Sequence, residues 1–453
     1  MKPAQAASSP QQAAPGPAGA LPAPALSPSG GARYGLGVLA LINLVHFLDR
    51  YVVFAVLAPI QRDLGIGDAE AGLLASAFLV VFMFTSPVFG WLGDRFSRKR
   101  TIAAGVALWS AATAAGGLAP SFGVLLATRA AVGVGEASYA TIAPTLIADW
   151  FPPQQRARAL AVFYAAAPVG AALGFILGGV VEARWGWRAV FFLAGLPGLL
   201  LALLQLTVRE PPRGAFEGAD PAAGEPAPSL LRCWRELARN RRYCALVAGY
   251  TAYTFAVGGL AVWMPTFLHR VRGMALEQAN LWIGAVTVVG GFAGTFAGGW
   301  LADRWRLRQP EAYAALAGLA SLLAAPFVAG ALLLGWPPAC LACLFLAEIL
   351  LFAISGPVNG AILEAVAPSM RASAVAASIL VMHLLGDAIS PAAIGAVSDA
   401  VRQLLGEGAQ AAGRGLLAGT LIVPVFVVLA GLAWGWIALR RPAAAAPAAE
   451  PPG

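Results

Sequence analysis

Ionisable side chains interrupt long apolar runs at four places in this 453-residue chain. One run holds His46, Asp49 and Arg50. Another holds Arg129 and Glu136, with Tyr139 beyond them. A third holds Glu348, and a fourth His383 and Asp387. The spacings are helical: His46 and Asp49 are three apart, His383 and Asp387 four, and Arg129 and Glu136 seven, so each pair shares one face of a helix. The chemistry open to such a set is proton carriage and anion binding. A carboxylate withdrawn from water holds its proton more tightly, and an Arg beside it reverses that. An acid that gains and loses its Arg as the protein changes shape therefore takes up and releases a proton. Asp49 is the first candidate carrier and Glu136 the second. Arg50 and Arg129 are the candidate partners that tune them or hold an anionic headgroup, because the planar guanidinium fork binds two oxygens at once. Tyr139, His383 and Asp387 join them as candidate substrate or charge partners. A plainer reading stands beside this one. Asp49 and Glu136 could form static ion pairs that fix helix packing, and His46, Glu348, His383 and Asp387 could be held locally by backbone or neighbours.

The elements that must position these groups follow from composition. The chain is 59% hydrophobic and 11% charged, with a mean hydropathy of +0.73. A soluble chain would be about 25% charged. A bilayer core of about 30 Å needs roughly 20 apolar residues as helix, and backbone polar groups in lipid must be satisfied within the segment. Twelve such segments are expected, starting near Tyr34, Glu70, Lys99, Phe122, Gln155 and Trp187, then near Arg242, Glu277, Ala312, Pro338, Met370 and Gly415. The reading is an all-α membrane protein made of two six-helix bundles, residues 33–208 and 242–441. Between them lies a polar linker, 209–241, read as a disordered hinge ending in an amphipathic surface helix. Residues 1–32 and 442–453 are Pro/Ala-rich and are expected to be disordered tails. The net charge of +8 does not point to nucleic acid, because the basic residues sit in short clusters between apolar runs. With both termini on one side, that side receives 21 of the Lys and Arg residues and the other side 7. The bias puts the termini and the linker in the cytoplasm. Cys340 and Cys343 lie in an apolar run with no partner pair, so no metal site is expected.

The two halves echo each other. Gly90-Trp-Leu-Gly-Asp94-Arg95 returns as Gly299-Trp-Leu-Ala-Asp303-Arg304, and Asp149-x3-Pro153-x2-Arg156 returns as Glu364-x3-Pro368-x2-Arg371. Parallel six-span repeats with a site near the midplane are typical of secondary transporters. Gly90 to Arg100, a Gly followed by Asp-Arg and a basic triplet, resembles the loop motif of the major facilitator superfamily. Longer strings are similar to its Spinster-like branch of lysolipid and sphingolipid transporters: Phe47-Leu-Asp49-Arg50-Tyr51, Thr128 to Asp149, Arg209-Glu-Pro-Pro-Arg-Gly214, Trp263-Met-Pro265, and His383 to Asp399. Ser97 stands where the superfamily motif has Gly, and His46 where Spinster relatives have Asn. The resemblance implies roles in coupling and substrate binding for Asp49, Arg50, Arg129 and Glu136. It also implies a cytoplasmic latch at Asp94, Arg95 and Arg98, with Asp94 at the positive N-terminal end of a span in the other half, and a weaker copy at Asp303 and Arg304.

The expectation is a proton-coupled secondary transporter of an amphipathic lipid, a lysophospholipid or sphingoid-like molecule, working by rocking of the two bundles. It would act as a monomer in a bacterial inner membrane, with no cofactor beyond the proton and with membrane lipids around it. The alternatives are an antiporter of a small polar or drug-like solute, and a non-transporting receptor or scaffold, which would need no midplane charges. No phosphate loop, metal cluster or nucleophile constellation points to an enzyme or an ATP-driven pump.

Overall fold

The computed structural model describes residues 30–213, 216, 230–367, 370–406 and 408–439. Its regular elements are helices. In the first half, α1 (Gly30–Ala55) breaks at Val56 into α2 (Leu57–Leu64), followed by α3 (Asp68–Arg95), α4 (Arg98–Gly116), α5 (Phe122–Trp150) and α6 (Pro153–Gln205). At 53 residues α6 is too long for one crossing, and it turns at Gly186, whose φ of 77° favours glycine. A short α7 (Leu230–Arg239) leads into the second half: α8 (Arg241–Arg270), α9 (Leu276–Arg306), α10 (Ala312–Leu333), α11 (Pro337–Phe352), α12 (Ser355–Glu364), α13 (Arg371–Met382), a π turn (His383–Asp387), α14 (Ser390–Leu405), α15 (Ala409–Thr420) and α16 (Ile422–Leu439).

Among the described residues, nine helical segments are long and apolar enough to cross a membrane. The turn in α6 makes one of them two crossings. α4 and α5 are long enough but diluted, α4 by its basic start and α5 by Arg129, Glu136 and Asp149. The crossings then number twelve, six before α7 and six after it. The expected tail through residue 32 overlaps this helical region: α1 begins at Gly30, and Ala32 is buried. The rest of that tail, the tail 442–453 and most of the expected hinge lie outside the described residues.

Close packing rests on small residues where backbones meet. Gly170 and Gly174 of α6 face the carbonyls of Leu44 and Leu48 on α1, and a Cβ at either position would collide with them. α1 packs on α6, and α4 on α5 and α6; α10 packs on α16 and α11, and α8 on α16. The halves meet where α6 lies along α9, where α3 lies along α14, and where α1 touches α8. α7 packs on α8 and α13, burying Cys233 and Leu237 while Trp234 and Arg235 stay exposed.

Candidate functional site

One turn pattern on α1 feeds two different sites. His46 and Asp49 point into the first half, and Arg50 points across to the second. Asp49 is 1% exposed. Thr113 on α4 donates to its Oδ2 at 2.7 Å, and Arg129 Nη1 on α5 stands 4.0 Å from its Oδ1. That separation is an ion pair without a formed hydrogen bond. Asp49 Oδ1 and Arg129 Nε and Nη1 have no protein hydrogen-bond partner, and all are buried. One turn along, His46 Nδ1 faces Glu136 Oε2 at 3.1 Å, and both side chains are sealed from solvent. Neither oxygen of Glu136 is hydrogen-bonded to protein. Four ionisable groups therefore sit in a buried compartment with donors and acceptors that no protein group satisfies. The Phe78 ring of α3 lies 5.4 Å from the Arg129 guanidinium and 5.2 Å from that of Arg50, bridging the two sites by cation–π contact.

The second site joins the halves. Arg50 Nη2 lies 3.7 Å from Asp387 Oδ2, and His383 Nδ1 lies 2.9 and 3.0 Å from the two Asp387 oxygens. His383 and Asp387 form the ends of the π turn, a device frequent at functional sites. Gly386 lets that turn press onto the Thr251 carbonyl of α8. Arg50 and Asp387 line a cavity with Tyr51 and Tyr253. Tyr51 also lines a neighbouring pocket with Glu348 and Thr287, and a slot of about 430 Å³ between α6 and α9, walled by Phe47, Tyr164, Phe292, Phe296 and Phe352. Glu348 takes one long bond, 3.4 Å, from Thr287, and among the described residues no basic group pairs with it.

Tyr139 differs from its expected role. Its hydroxyl donates to the Leu39 carbonyl at 2.6 Å, and its ring packs on His46 and Trp109, so it braces the sealed compartment and does not reach the cavity. It lies one turn beyond Glu136 on the same face of α5 and packs against the same His46 ring, but its hydroxyl is taken by a backbone carbonyl.

The latch residues pair within their own halves. Arg98 is buried and binds Asp149 at 2.6 Å; the echo of this pair is Arg306 with Glu364, also 2.6 Å. The repeated acids Asp149 and Glu364 thus each bind a base that follows the Asp-Arg motif of their own half. Arg95 lies 4.2 Å over Trp91, Arg304 lies 5.7 Å over Trp300, and Asp303 accepts from Tyr313 at 3.3 Å. Among the described residues no ion pair joins the halves at this linker end, and Asp94 is exposed. At the far end hydrogen bonds do join them: Arg270 binds Asp68, and Asn280 Nδ2 donates to the Ala55 carbonyl at 2.9 Å. The structure is closed at the far end and parted at the linker end.

The start of the linker is a clamp. Glu210 accepts from Ser97 Oγ at 2.6 Å and from the Arg98 and Lys99 N–H groups at 2.9 and 3.4 Å, capping α4. Arg213 donates to the Gly93 and Phe96 carbonyls at 2.8 and 2.9 Å and to that of Asp94, capping α3. Burial alone would push the Glu210 carboxyl up, but these hydrogen bonds and the Arg98 charge hold it below the usual range. A lowered folded-state pKa stabilises the fold at neutral pH, and the contribution is lost as pH falls through that pKa. Glu210→Gln is expected to lower thermal stability at pH 7 by about 1 kcal/mol. The gap between the two proteins narrows below about pH 4.3, as read by thermal unfolding across pH.

Thr113, Phe78, Glu210 and Arg213 were not singled out from sequence. Only the Arg209 to Gly214 string flagged the last two.

Two six-crossing halves around a charged cavity that is closed at one end define a secondary transporter. The pattern that describes the Major Facilitator Superfamily matches residues 39–391. Protein spinster homolog 1 of Bos taurus is 39% identical over 394 residues, covering 83% of this chain and 74% of its own. Protein spinster of Drosophila melanogaster is 36% identical over 380 residues, covering 81% and 62%. A solved bacterial homologue of the human lysosomal transporter Spinster, in an inward-facing and unoccupied conformation, matches with a TM-score of 0.83 at 27% identity, covering 91% of this chain and 98% of that one. The chain belongs to the Major Facilitator Superfamily and, within it, to the Spinster transporters, as the resemblance implied. It is a multi-pass membrane protein and not an enzyme.

Proposed function

We propose that this transporter moves an amphipathic lipid with an anionic headgroup, a lysophospholipid or sphingoid-like molecule, and that it couples the movement to protons. One observation carries the lipid reading: a charged head pocket, lined by Arg50 and Asp387 with His383 bonded to that acid, neighbours an aromatic slot between α6 and α9, and Tyr51 lines both. Tyr164 and Phe296, at the slot, are themselves exposed, which suits sideways entry of an acyl chain. A phosphate entering the head site competes with Asp387 for the Arg50 fork. In the coupling reading Asp49 and Glu136 are the proton sites, and Arg129 and His46 adjust them as the halves rock. The proposed setting is a bacterial inner membrane with the linker end and both termini in the cytoplasm, an orientation the charge bias supports and in which the present state faces inward. The proposed unit is the monomer, with no cofactor besides the proton.

The test is uptake of labelled lysophospholipid into proteoliposomes, with and without an imposed pH gradient. Uptake that exceeds empty liposomes and accelerates with the gradient is the expected result. Lipid uptake indifferent to the gradient removes proton coupling. Movement of a hydrophilic solute with no lysolipid uptake replaces the lipid reading with the small-solute antiporter.

A further inference from the structure

The far end of the molecule holds a second set of charges that the substrate site does not use. Asp399, in the last turns of α14, accepts from the first backbone N–H groups of α3: Asp68 N at 3.1 Å and Ala69 N at 2.8 Å. Asp68 is 1% exposed and in turn accepts from Arg270 at the end of α8 at 2.8 and 2.9 Å, from Ser398 of α14 at 2.5 Å and from Gln61 of α2 at 2.6 Å. Two carboxylates thus tie α2 and α3 of the first half to α8 and α14 of the second. The helices touch backbone to backbone here. Gly72 faces the Pro391 carbonyl and Gly395 the Asp68 carbonyl, and a Cβ on either would collide.

The arrangement mirrors the expected linker-end latch. There, Asp94 at the C-terminal end of α3 is to meet the N-terminal end of a span in the second half. Here, Asp399 near the C-terminal end of α14 meets the N-terminal end of α3. Both acids follow a glycine by four residues, Gly90-x3-Asp94 and Gly395-x3-Asp399. In the present state the Asp94 end is parted and the Asp399 end is made. A negative charge at a helix N-terminus and charge-assisted bonds to buried groups stabilise whichever state forms them.

We propose that Asp399, acting with the Asp68–Arg270 pair, is the counter-latch of the transport cycle. It is formed when the cavity opens toward the linker and broken when the cavity opens to the far side, and its balance with Asp94 sets which state is populated. Asp399 is a positioning residue; it touches no substrate. The proposal needs the chain to alternate between two states but does not depend on the substrate, the proton or the orientation in the membrane.

The test uses the full chain in nanodiscs, with its native cysteines replaced by serine and spin-label pairs at exposed positions. Arg62 with Gln403 reports the far end, and Phe96 with Leu307 the linker end. Asp399→Asn is expected to raise the far-open to linker-open ratio by about tenfold, the size of one charge-assisted hydrogen bond. Asp94→Asn is expected to move the ratio the other way, and the double variant to return toward the wild type. Should Asp399→Asn fail to fold, Arg270→Gln carries the same expectation. Distance distributions unchanged by a folded Asp399→Asn or Arg270→Gln overturn the proposal, as does a double variant with no compensation. If no protein, wild type included, shows a far-open population even with substrate, alternation itself is what fails.

Discussion

Asp49→Asn is expected to abolish gradient-driven transport while leaving some downhill exchange. The asparagine keeps the shape of the carboxylate and can still accept from Thr113, but it carries no proton and no charge. Arg129, 1% exposed, is then a buried cation with its counter-charge gone. Removing one member of a buried ion pair costs about 3–5 kcal/mol. Asp49→Asn is therefore also expected to unfold at lower temperature. That confounds a simple loss-of-function result, and the double variant Asp49→Asn with Arg129→Gln separates the two effects. The double variant removes both charges and is expected to recover most of the thermal stability, because no uncompensated ion remains. It is not expected to recover the response to a pH gradient, because Asp49, the first proton carrier, and the Arg129 charge that tunes it are both still missing. A static packing role predicts the opposite pairing: once stability returns, coupling returns with it. The measurements are thermal unfolding and uptake with and without the gradient, on the wild type, the single variant and the double variant. Glu136→Gln extends the argument, since Glu136 faces His46 at 3.1 Å and has no hydrogen bond to satisfy it.

The layout of the molecule was legible because the bilayer restricts the options. Twelve apolar segments, the echo of Asp94 at Asp303, and the crowding of basic residues on one side are all properties of the chain in order. Lipid thickness and the cost of buried backbone turn them into crossings. Pairings across helices were less legible. Asp49 and Arg129 do meet, but Glu136 meets His46, because the rotation of α1 against α5 is set by packing and leaves no trace in periodicity. The π turn was invisible: His383 and Asp387 are four apart in any helix, and only packing against α8 inserts the extra residue. The string Arg209-Glu-Pro-Pro-Arg has the composition of a loop and reads as a hinge. Glu210 and Arg213 instead cap the facing ends of α4 and α3, since helix ends attract such groups wherever a chain passes close by. Tyr139 shares the face of Glu136, as its spacing implied, but its hydroxyl is spent on the Leu39 carbonyl, a partner on another helix that periodicity does not show.

Arg50→Lys is expected to raise the KM for a phosphate-bearing lysolipid by roughly tenfold or more, the value of a lost charge-assisted hydrogen bond. Lysine keeps the charge but loses the planar fork that holds two oxygens and the flat face that the guanidinium, 5.2 Å from the Phe78 ring, presents to it. Arg50→Gln removes the charge as well and is expected to lose binding altogether. The more telling variant is on the other side of the bridge. Asp387 stands 3.7 Å from Arg50, close enough to attract it but too far for a good hydrogen bond. A phosphate that displaces Asp387 therefore forfeits a modest attraction, and removing that attraction leaves Arg50 free. Asp387→Asn is expected to bind the lysolipid more tightly and to turn over more slowly, because the carboxylate no longer helps to expel the headgroup when the halves part. His383 still has an acceptor in the asparagine oxygen, so the π turn is expected to hold. If Arg50 and Asp387 served only to bolt the halves together, both substitutions would weaken the protein alike and neither would tighten binding. Equilibrium binding of labelled lysolipid to detergent-purified protein, set beside initial uptake rates, distinguishes the two. A lower Kd with a lower maximal rate for Asp387→Asn, against a higher KM for Arg50→Lys, marks a headgroup site in which acid and phosphate compete for one arginine.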